Sequence, residues 1–394
     1  MRVKRIIALC LAMLMMAAFL PVHVSANTVS TVERTFSVDG FEITTDVVVS
    51  GNAVLVPFSF LEEAVGAIAT YNPRNRQISI LTARYTFRLT VGNVQYTRQG
   101  VNRRLSAAPI LVGGVPFVPM REIITGIGGT FDVNLATSMI EIVYFSNMTG
   151  SVIVSGSTTL VPFMQDIADR LNAMNTGLTI NVSGGGSGAG RNAVIDRTTH
   201  VGMDSGTPNA TQRAAIRHFI PVAFDAVAIV THPSNPVANL TTEQARSIFM
   251  GEITNWNQVG GNNAPIIVHI RDGLSGTGDV MQSELLGSGN AFVAGATPHA
   301  SNGLQRNATA GDANAIAFLS IGYVDNTVRA VTLNGVAPTF ETVASGAYVL
   351  NRNLNLLSLN RPTGSSARLI DFVRSAQGQS IIYAAEFLPI RPLF

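Results

Sequence analysis

Cysteine and lysine are almost absent from this sequence. Cys10 is the one cysteine and Lys4 the one lysine, and both lie within the first ten residues. Once that segment is removed, no thiol remains for a disulfide bond, a nucleophile or a thiolate-bound metal. Every basic side chain beyond it is then an arginine, and loss of Arg2, Lys4 and Arg5 changes the formal net charge from +2 to −1.

Charged residues are scarce, whereas hydrophobic residues are abundant. Only 13% of the 394 residues are charged and 46% are hydrophobic, which is typical of well-filled cores and excludes a disordered chain. Since the chain is nearly neutral and has no basic run, the sequence gives no electrostatic reason to expect nucleic acid binding. The length predicts two or three domains.

Residues 1–26 have the features of a secretory signal peptide. Basic residues precede an apolar run from Ile6 to Leu20, which the small-residue pattern Val24-Ser25-Ala26 follows. The run is short for a transmembrane helix, which needs about 20 apolar residues, and Leu9 before Cys10 does not fit a lipoprotein cleavage site. We therefore expect cleavage near Ala26 and a mature protein that is secreted or held at the cell surface.

An internal repeat occupies much of the region 27–147. Residues 54–80 align with residues 116–142, so that Pro57 matches Pro119 and Gly66 matches Gly128. In each copy the pattern predicts a strand, a short helix that begins just after the proline, a glycine stop and an alternating strand. The duplication predicts a small α+β module.

The second copy carries the pattern VP-x-R-E-h-h-x-x-h-G from Val118 to Gly128, whereas the first has Ser59 in the arginine position. Through this pattern the region resembles the copper amine oxidase-like N-terminal domain of many secreted bacterial proteins, which implies a structural or adhesive role. The region contains no histidine or cysteine, so copper ligation by imidazole or thiolate is excluded. Arg98, Arg103 and Arg104 are either contacts for an anionic cell-wall polymer or residues of a solvated loop.

Beyond the short polar stretch 146–151, strands, glycine turns and helices alternate. The segment TTLVPFMQDIADRLNAMN predicts a helix with one apolar face, formed by Leu160, Met164, Ile167, Ala168 and Leu171. Strands also precede the turns in SGGGSGAGR and VGMDSG. The alternation predicts an α/β fold over 148–394, with parallel strands and functional loops at their carboxyl ends.

Three turns between a strand and a helix combine glycine with hydroxyl side chains. Glycine-rich turns present backbone N–H groups, and the helix that follows directs its partial positive end at the turn. Each hydroxyl alone is more often an N-cap, but together they predict a site for a small tetrahedral oxyanion. The hydroxyl and glycine candidates are Ser157, Thr158, Thr159, Ser187, Ser275, Gly276 and Thr277.

Two charged residues extend this prediction. The planar fork of Arg271 can bind two oxygens of an anion, and the alternative is a surface arginine paired with Asp272. Asp204 can accept a proton from hydrogen phosphate and would repel sulfate, which has no proton to donate; the alternative is a helix or turn cap.

From about Gly150 to the C-terminus, the chain contains GSTTLVP, GGGSGAGR, VGMDS, a block from FDAVAIV to ITNWNQVGG, and R-x-x-x-SGT. Through these motifs it resembles the phosphate-binding substrate-binding proteins of ABC transporters, the PstS type. The resemblance implies a two-lobed, periplasmic-binding-protein-like clamp that closes on inorganic phosphate and delivers it to a membrane permease driven by an ATPase. It implies no cofactor and no metal. Because the family has Ser-Asp or Ser-Ser where this chain has Asp204-Ser205, either residue could contact the ligand.

The sequence also predicts where the chain crosses between the two lobes. Phe224–Val230 is expected to cross from the first lobe to the second, and Ala315–Val324 to lie near the return crossing.

A secreted serine hydrolase or phosphatase is disfavoured because Ala189 replaces the last glycine of a nucleophile elbow around Ser187, and the histidines lack metal-ligand spacing. We expect a binding protein rather than an enzyme. A wall-associated phosphate scavenger or sensor without a permease, and a clamp for another oxyanion, remain open alternatives.

Overall fold

The computed structural model describes residues 29–134 and 139–391, which form two compact units that divide between Ser146 and Asn147. The predicted signal peptide lies outside the described residues. No helix in the described ranges combines the length and the apolar character that a membrane span requires.

The described part of the first unit consists of two sheets and the helices Phe58–Val65 and Met120–Gly126. One sheet has the strand order β11-β12-β1-β2-β3-β10-β9, and the other has the order β4-β5-β6-β7-β8. The strands are β1 (Val32–Val38), β2 (Phe41–Ser50), β3 (Ala53–Pro57), β4 (Ile68–Asn72), β5 (Gln77–Leu81), β6 (Thr86–Thr90), β7 (Asn93–Arg98), β8 (Val101–Arg104), β9 (Ile110–Val112), β10 (Val115–Pro119), β11 (Thr130–Asn134) and β12 (Met139–Val143).

The predicted internal repeat is present in this unit. In both copies a strand ends at a proline, Pro57 or Pro119, and the helix begins at the next residue. Gly66 and Gly128 both have positive φ angles, 66° and 90°, at the end of these helices. Since glycine adopts this backbone conformation without a steric penalty, it ends each helix at the predicted place. The small duplicated α+β module is thus confirmed.

The second unit is built on one mixed sheet with helices between its strands. Its strands are β13 (Gly150–Gly156), β14 (Leu178–Ser183), β15 (Val201–Asp204), β16 (His218–Thr231), β17 (Asn239–Leu240), β18 (Ile267–Arg271), β19 (Thr297–His299), β20 (Ala315–Ser320), β21 (Arg329–Ala330), β22 (Thr332–Leu333), β23 (Asn351–Ser358) and β24 (Leu388–Pro389). Its α-helices are Val161–Met174, Ser187–Ile195, Ala210–Ala215, Thr242–Met250, Gly276–Val280, Asn302–Ala310, Phe340–Ala344, Gly364–Arg374 and Ala376–Ala384, with 3-10 helices at Trp256–Val259 and Ile321–Tyr323 and a π-helix at Met281–Leu286.

The strand directions explain how this unit forms two lobes. The sheet order is β14-β13-β15-β23-β16-β20-β18-β19. Strands β13 to β15 pair in parallel, as do β18, β19 and β20, whereas the central strands β16 and β23 run antiparallel to each other and to their outer neighbours. The prediction of parallel strands is therefore correct on both sides and wrong at the centre, because one chain segment must leave the first lobe and another must return.

The crossing points between the lobes are defined by the pairing of β16. Residues 218–226 of this strand pair with β23, and residues 227–231 pair with β20. The first crossing therefore falls within Phe224–Val230, as predicted. The return was predicted near Ala315–Val324, but the chain instead returns between Leu350 and Asn351, where β23 begins. The first lobe thus comprises residues 147–226 and 351–391, and the second comprises 227–350.

The packing of this unit confirms the predicted apolar helix face and shows two further local features. Helix Val161–Met174 buries the predicted apolar face, and Thr241 and Gln244 form a reciprocal capping box at the helix Thr242–Met250. Trp256 is buried in the second lobe, and its Nε1–H donates to the carbonyl oxygen of Asn314 at 2.9 Å. The tryptophan is therefore a core residue with its polar atom satisfied.

Candidate oxyanion-binding site

Three serine hydroxyls of the first lobe converge at the carboxyl ends of its strands. The Oγ of Ser205 lies 2.7 Å from the Oγ of Ser157 and 3.3 Å from the Oγ of Ser187. The backbone N–H of Ser205 also donates to the Oγ of Ser187 at 3.0 Å. All three side chains are buried. The turns predicted from separate motifs therefore form one cluster of hydroxyl groups, each of which can donate and accept hydrogen bonds.

The segment SGGGSGAGR is an ordered turn that leads into a helix. The helix begins at Ser187, and Gly186 has a φ of 92°. A Cβ at Gly186 would lie 2.5 Å from the carbonyl oxygen of Leu274 in the second lobe. The N–H of Gly188 donates to that same carbonyl at 2.9 Å. Glycine is therefore required here both by the backbone conformation and by the close approach of the opposite lobe.

The second lobe contributes the start of the helix Gly276–Val280. Ser275 caps this helix, and its Oγ accepts a hydrogen bond from the N–H of Gly278 at 3.1 Å, so the N-cap alternative for this serine holds in the structure. Thr277 is buried, and its Oγ1 lies 3.5 Å from the Oγ1 of Thr159 in the first lobe. A Cβ at Gly276 would lie 2.7 Å from the Oγ of Ser205. The candidates from both lobes are thus in contact.

Arg271 ends strand β18 and is buried, with 4% of its surface exposed. Its Nε donates to the carbonyl oxygen of His299 at 3.0 Å, and its Nη2 donates to Ala300 O at 3.0 Å and to Thr158 Oγ1 at 3.3 Å. Within the described ranges its Nη1 has no hydrogen-bond partner. Burial lowers the pKa of Arg271 to about 10, so the side chain stays charged at neutral pH.

These contacts make Arg271 a fixed, buried cation with donor capacity to spare. The alternative of a surface arginine paired with Asp272 is wrong, because the guanidinium is buried against carbonyl oxygens. A buried charge without a counterion is costly, and an anion bound at Nη1 would relieve that cost.

Asp204 is held by an arginine that the sequence analysis did not assign. Arg191 donates to its Oδ1 from Nε at 3.0 Å and from Nη2 at 2.7 Å, and the N–H of Gly206 donates to the same oxygen at 3.2 Å. Among the described residues, Oδ2 has no partner. Burial raises the pKa of Asp204, and Arg191 opposes that shift. The turn-cap alternative is thus present, and it is Ser205 whose side chain joins the serine cluster.

A second buried arginine of the site, Arg352, was also not predicted from the sequence. It donates from Nη2 to Thr159 Oγ1 at 3.1 Å and from Nη1 to the carbonyl oxygen of Ser205 at 3.0 Å. Its Nε and Nη2 both bind Oδ2 of Asp225, at 2.8 and 2.6 Å. Arg352 lies in strand β23, where no glycine or hydroxyl motif marks it in the sequence. The ion pair with Asp225 fixes Arg352, and Arg352 in turn holds the two loops that contain Thr159 and Ser205.

Side chains of the second lobe hold Thr158 and Thr159. The Nδ2 of Asn302 donates to Thr159 Oγ1 at 3.1 Å, and its Oδ1 accepts from the N–H of Ser320 at 3.2 Å. The hydroxyl of Tyr323 donates to the carbonyl oxygen of Thr158 at 2.7 Å. The first-lobe turn that contains Thr158 and Thr159 is therefore held by hydrogen bonds from the second lobe, which is the arrangement of a closed clamp.

Comparison with known protein families divides the chain into two regions, each of which matches a different family model. The sequence model of the PBP superfamily domain matches residues 146–377, and that of the copper amine oxidase N-terminal domain matches residues 37–142. The second match carries no implication of copper, since the region holds neither imidazole nor thiol.

Individual relatives carry names that refer to phosphate. The phosphate-binding protein PstS of Borreliella burgdorferi is 28% identical over 251 residues, which cover 61% of this chain and 90% of the relative. A substrate-binding protein of the phosphate ABC transporter type from Clostridium perfringens, solved with bound phosphate, is 31% identical; the match covers 61% of this chain and 100% of that one, with a TM-score of 0.59. An ABC-type phosphate transport receptor from Vibrio cholerae is 30% identical, covers 61% and 100% of the two chains, and gives a TM-score of 0.53.

Proposed function

We propose, from the premise that this chain belongs to the PBP superfamily, that its second unit binds inorganic phosphate outside the cytoplasm and supplies it to an ABC transporter permease. The names of the relatives, which refer to phosphate binding or phosphate transport, support this assignment. The fold supports it as well, because the site lies between two lobes that can open and close around a ligand.

The observation that carries the proposal is the buried guanidinium of Arg271, whose Nη1 has no partner among the described residues while its Nη2 donates to Thr158 Oγ1 of the opposite lobe at 3.3 Å. A tetrahedral oxyanion has four oxygens and accepts hydrogen bonds from several directions, which suits a cation surrounded by hydroxyl and backbone donors. A ligand that binds groups of both lobes stabilises the closed state. The proposed contacts are Ser157, Thr158, Thr159, Ser187, Ser205, Arg271, Ser275, Gly276 and Thr277.

Asp204 is proposed to give the site its preference for phosphate over sulfate. Its Oδ2 is a buried carboxylate oxygen with no partner among the described residues, while Oδ1 is held by Arg191. The P–OH group of hydrogen phosphate can donate a hydrogen bond to such an oxygen, whereas sulfate has no proton to donate and would be repelled. Ser205 then provides the direct contact in this loop, and Asp204 provides the acceptor.

We infer a binding protein and not an enzyme. The hydroxyls of Ser157 and Ser187 hydrogen-bond to Ser205, and neither is paired with an imidazole in the described structure. A serine nucleophile requires a general base within hydrogen-bonding distance. The contacts instead suit a ligand that is bound and released unchanged.

Calorimetric titration of ligand-free protein with phosphate, and separately with sulfate, tests the binding proposal. We expect tight phosphate binding, weak sulfate binding, and a loss of about 100-fold or more for Arg271→Gln, which removes a buried charge that pairs with the ligand. Arg213→Gln, an exposed arginine of the same unit, should bind as the unchanged protein does. No heat from a folded, ligand-free sample would overturn the proposal, as would an unaffected Arg271→Gln variant.

The proposal also includes delivery of the bound phosphate to a membrane permease, which needs a separate test. Co-purification of the protein with a membrane permease and its ATPase, stronger with phosphate than without, would support transport. Release of the mature protein into the medium without any such association would favour a phosphate scavenger or sensor.

A further inference from the structure

The charges of the first unit are strongly segregated along the chain. Residues 27–146 contain nine arginines and nine carboxylates, but the sheet segment 68–104 has seven of the arginines and no carboxylate. The flanking carboxylates in the sequence are Glu63 and Glu122. The five-stranded sheet β4 to β8 is therefore cationic, although the unit as a whole is neutral.

One face of this sheet is buried and the other is open. Ile78, Phe87 and Tyr96 on neighbouring strands are buried on one face. On the other face Arg88 is exposed, and its partners in the strand register are Ser79 and Thr97. These positions give an open face in which arginine is surrounded by small polar side chains.

The edge strand β8 extends the same face. Its four residues are exposed, and Arg104 pairs in register with Gln95, while Asn102 pairs with Thr97. Arg104 thus shares the open face with Arg88. None of the ion pairs among the described residues involves either arginine. We call Arg88, Arg104 and the polar residues between them the basic face.

The structure divides the three arginines singled out from the sequence. Arg98 has a structural role, because its Nη1 donates to the carbonyl oxygen of Gly126 at 2.6 Å and its guanidinium lies 5.4 Å from the ring centroid of Tyr85. Arg103 is exposed opposite Tyr96, on the other face of the edge strand from Arg104. Arg104 belongs to the basic face, and Arg88, which the sequence analysis did not single out, is its second cation.

We propose that the basic face binds a linear polyanion of repeating phosphate groups that carries no nucleobases. Two strand spacings and two residues separate Arg88 from Arg104, a distance of roughly 12 Å between backbones. A single exposed ion pair contributes little and is screened by salt, so a small anion gains little from either arginine. A polymer with repeated charges neutralises both arginines at once and releases its condensed counterions.

The open face also indicates which polyanion fits. Single-stranded nucleic acids bind to sheets through aromatic side chains on which bases stack. Phe87 and Tyr96, aromatic residues of the strands that carry the face, are instead buried in the opposite one. Phosphate polymers without bases need only cations and hydrogen-bond donors, which the basic face supplies. An alditol-phosphate wall polymer fits better than inorganic polyphosphate, because its hydroxyl groups can also hydrogen-bond to Gln95, Thr97 and Asn102 on the same face.

Binding of the full-length protein to three fluorescent polymers tests this inference: polyphosphate, poly(glycerol phosphate) and a single-stranded oligonucleotide of similar charge. Saturating orthophosphate is present throughout, so that the clamp of the second unit does not contribute. The test variant is Arg88→Gln with Arg104→Gln. The matched control is Arg213→Gln with Arg217→Gln, which removes the same charge from exposed positions of the second unit. Thermal unfolding verifies that both variants fold.

We expect poly(glycerol phosphate) to bind at low salt, and more tightly than polyphosphate or the oligonucleotide. The test variant should weaken binding by about tenfold and reduce the salt slope, log K against log salt concentration, by about 1.5, whereas the control should change neither. Tighter binding of polyphosphate would show that the face recognises charge alone and would overturn the choice of an alditol-phosphate polymer. Absence of binding, equal loss in both variants, or oligonucleotide binding of equal strength would overturn the inference. The arginines would then serve only to protect an exposed sheet edge.

Discussion

Arg191 of the first lobe forms an ion pair with Asp279 of the second lobe, with 3.0 Å between Nη2 and Oδ2. The same Nη2 lies 2.7 Å from Oδ1 of Asp204. One buried arginine therefore joins the last residue of β15 to the helix Gly276–Val280. Because Arg191 and Ser187 lie on the same helix, closure of the lobes is coupled to the position of a proposed ligand contact.

Asp279→Asn is expected to weaken phosphate binding by about two- to fivefold. The change removes one charge of the ion pair between the lobes, and the effect is modest because Asp279 is partly solvated. Titration calorimetry gives the affinity, and small-angle X-ray scattering of the ligand-free protein should show a larger radius of gyration. Asp166→Asn, on an exposed helix face of the first lobe, is the matched control. An unchanged affinity would show that the ion pair does not contribute to closure.

Gly276→Ala is expected to reduce phosphate affinity strongly while the protein remains folded. The added Cβ would lie 2.6 Å from Gly206 N and 2.7 Å from Ser205 Oγ, both in the opposite lobe, so it opposes closure more than folding. Gly273→Ala is the control, since its Cβ would have no atom within 4 Å. Calorimetry and thermal unfolding measure the two effects. Equal affinity of the two variants would mean that the closed arrangement is not the binding state.

The motifs that could be found from the sequence are those formed by neighbouring residues. Glycine and hydroxyl residues between a strand and a helix predict the positions of Ser157, Ser187 and Ser275. Each of these serines lies where its motif predicts. Arg352 and Asp225 lie 127 residues apart and pair only because β23 returns beside β16. No local pattern contains this information, so the pair could not be predicted from the sequence alone.

Asp204→Asn tests the proposed selectivity. The amide keeps a similar volume but loses the carboxylate, so hydrogen phosphate loses its acceptor and sulfate is no longer repelled. We expect the ratio of phosphate to sulfate affinity to fall by about tenfold or more, a change of about 1.4 kcal/mol in relative binding free energy. Titrations with both anions, on this variant and on the exposed control Asp196→Asn, measure the ratio. A ratio that stays constant would assign selectivity to the hydroxyl cluster.

The imidazoles of His269 and His299 predict a pH dependence of stability. His299 Nε2 lies 3.0 Å from His269 Nδ1, and burial lowers the pKa of both residues; Arg271 lowers that of His299 further and Asp312 partly opposes the shift of His269. The unfolded chain therefore binds more protons than the folded chain as pH falls below about 6.5. The free energy of unfolding should decrease in that range.

Denaturant unfolding at a series of pH values measures this dependence. The double variant His269→Gln with His299→Gln should have a shallower slope below about pH 6.5 than the unchanged protein. His232→Gln, which removes an imidazole outside the pair, is the control. The comparison uses slopes, because loss of the buried pair also changes the stability at higher pH. Identical slopes in all three proteins would contradict the predicted shift.

The arginines show where sequence reasoning was sufficient and where it was not. Arg271 was identified because it precedes SGT by a short spacing. Its burial could not be predicted, since the carbonyl groups that fix it belong to His299, at the end of β19, and to Ala300, the next residue. Arg191 lies within SGGGSGAGR, but its role could not be predicted, because its partners Asp204 and Asp279 are 13 and 88 residues away in the sequence. Local patterns thus predicted the loops, and the tertiary fold determined their partners.

The position of phosphate in a crystal of the complex tests the central claim most directly. The account predicts a tetrahedral ligand between the lobes, within hydrogen-bonding distance of Arg271 Nη1 and of the hydroxyls of Ser187, Ser205 and Thr277. Phosphate bound elsewhere on the second unit, with Arg271 Nη1 still unpartnered, would contradict it.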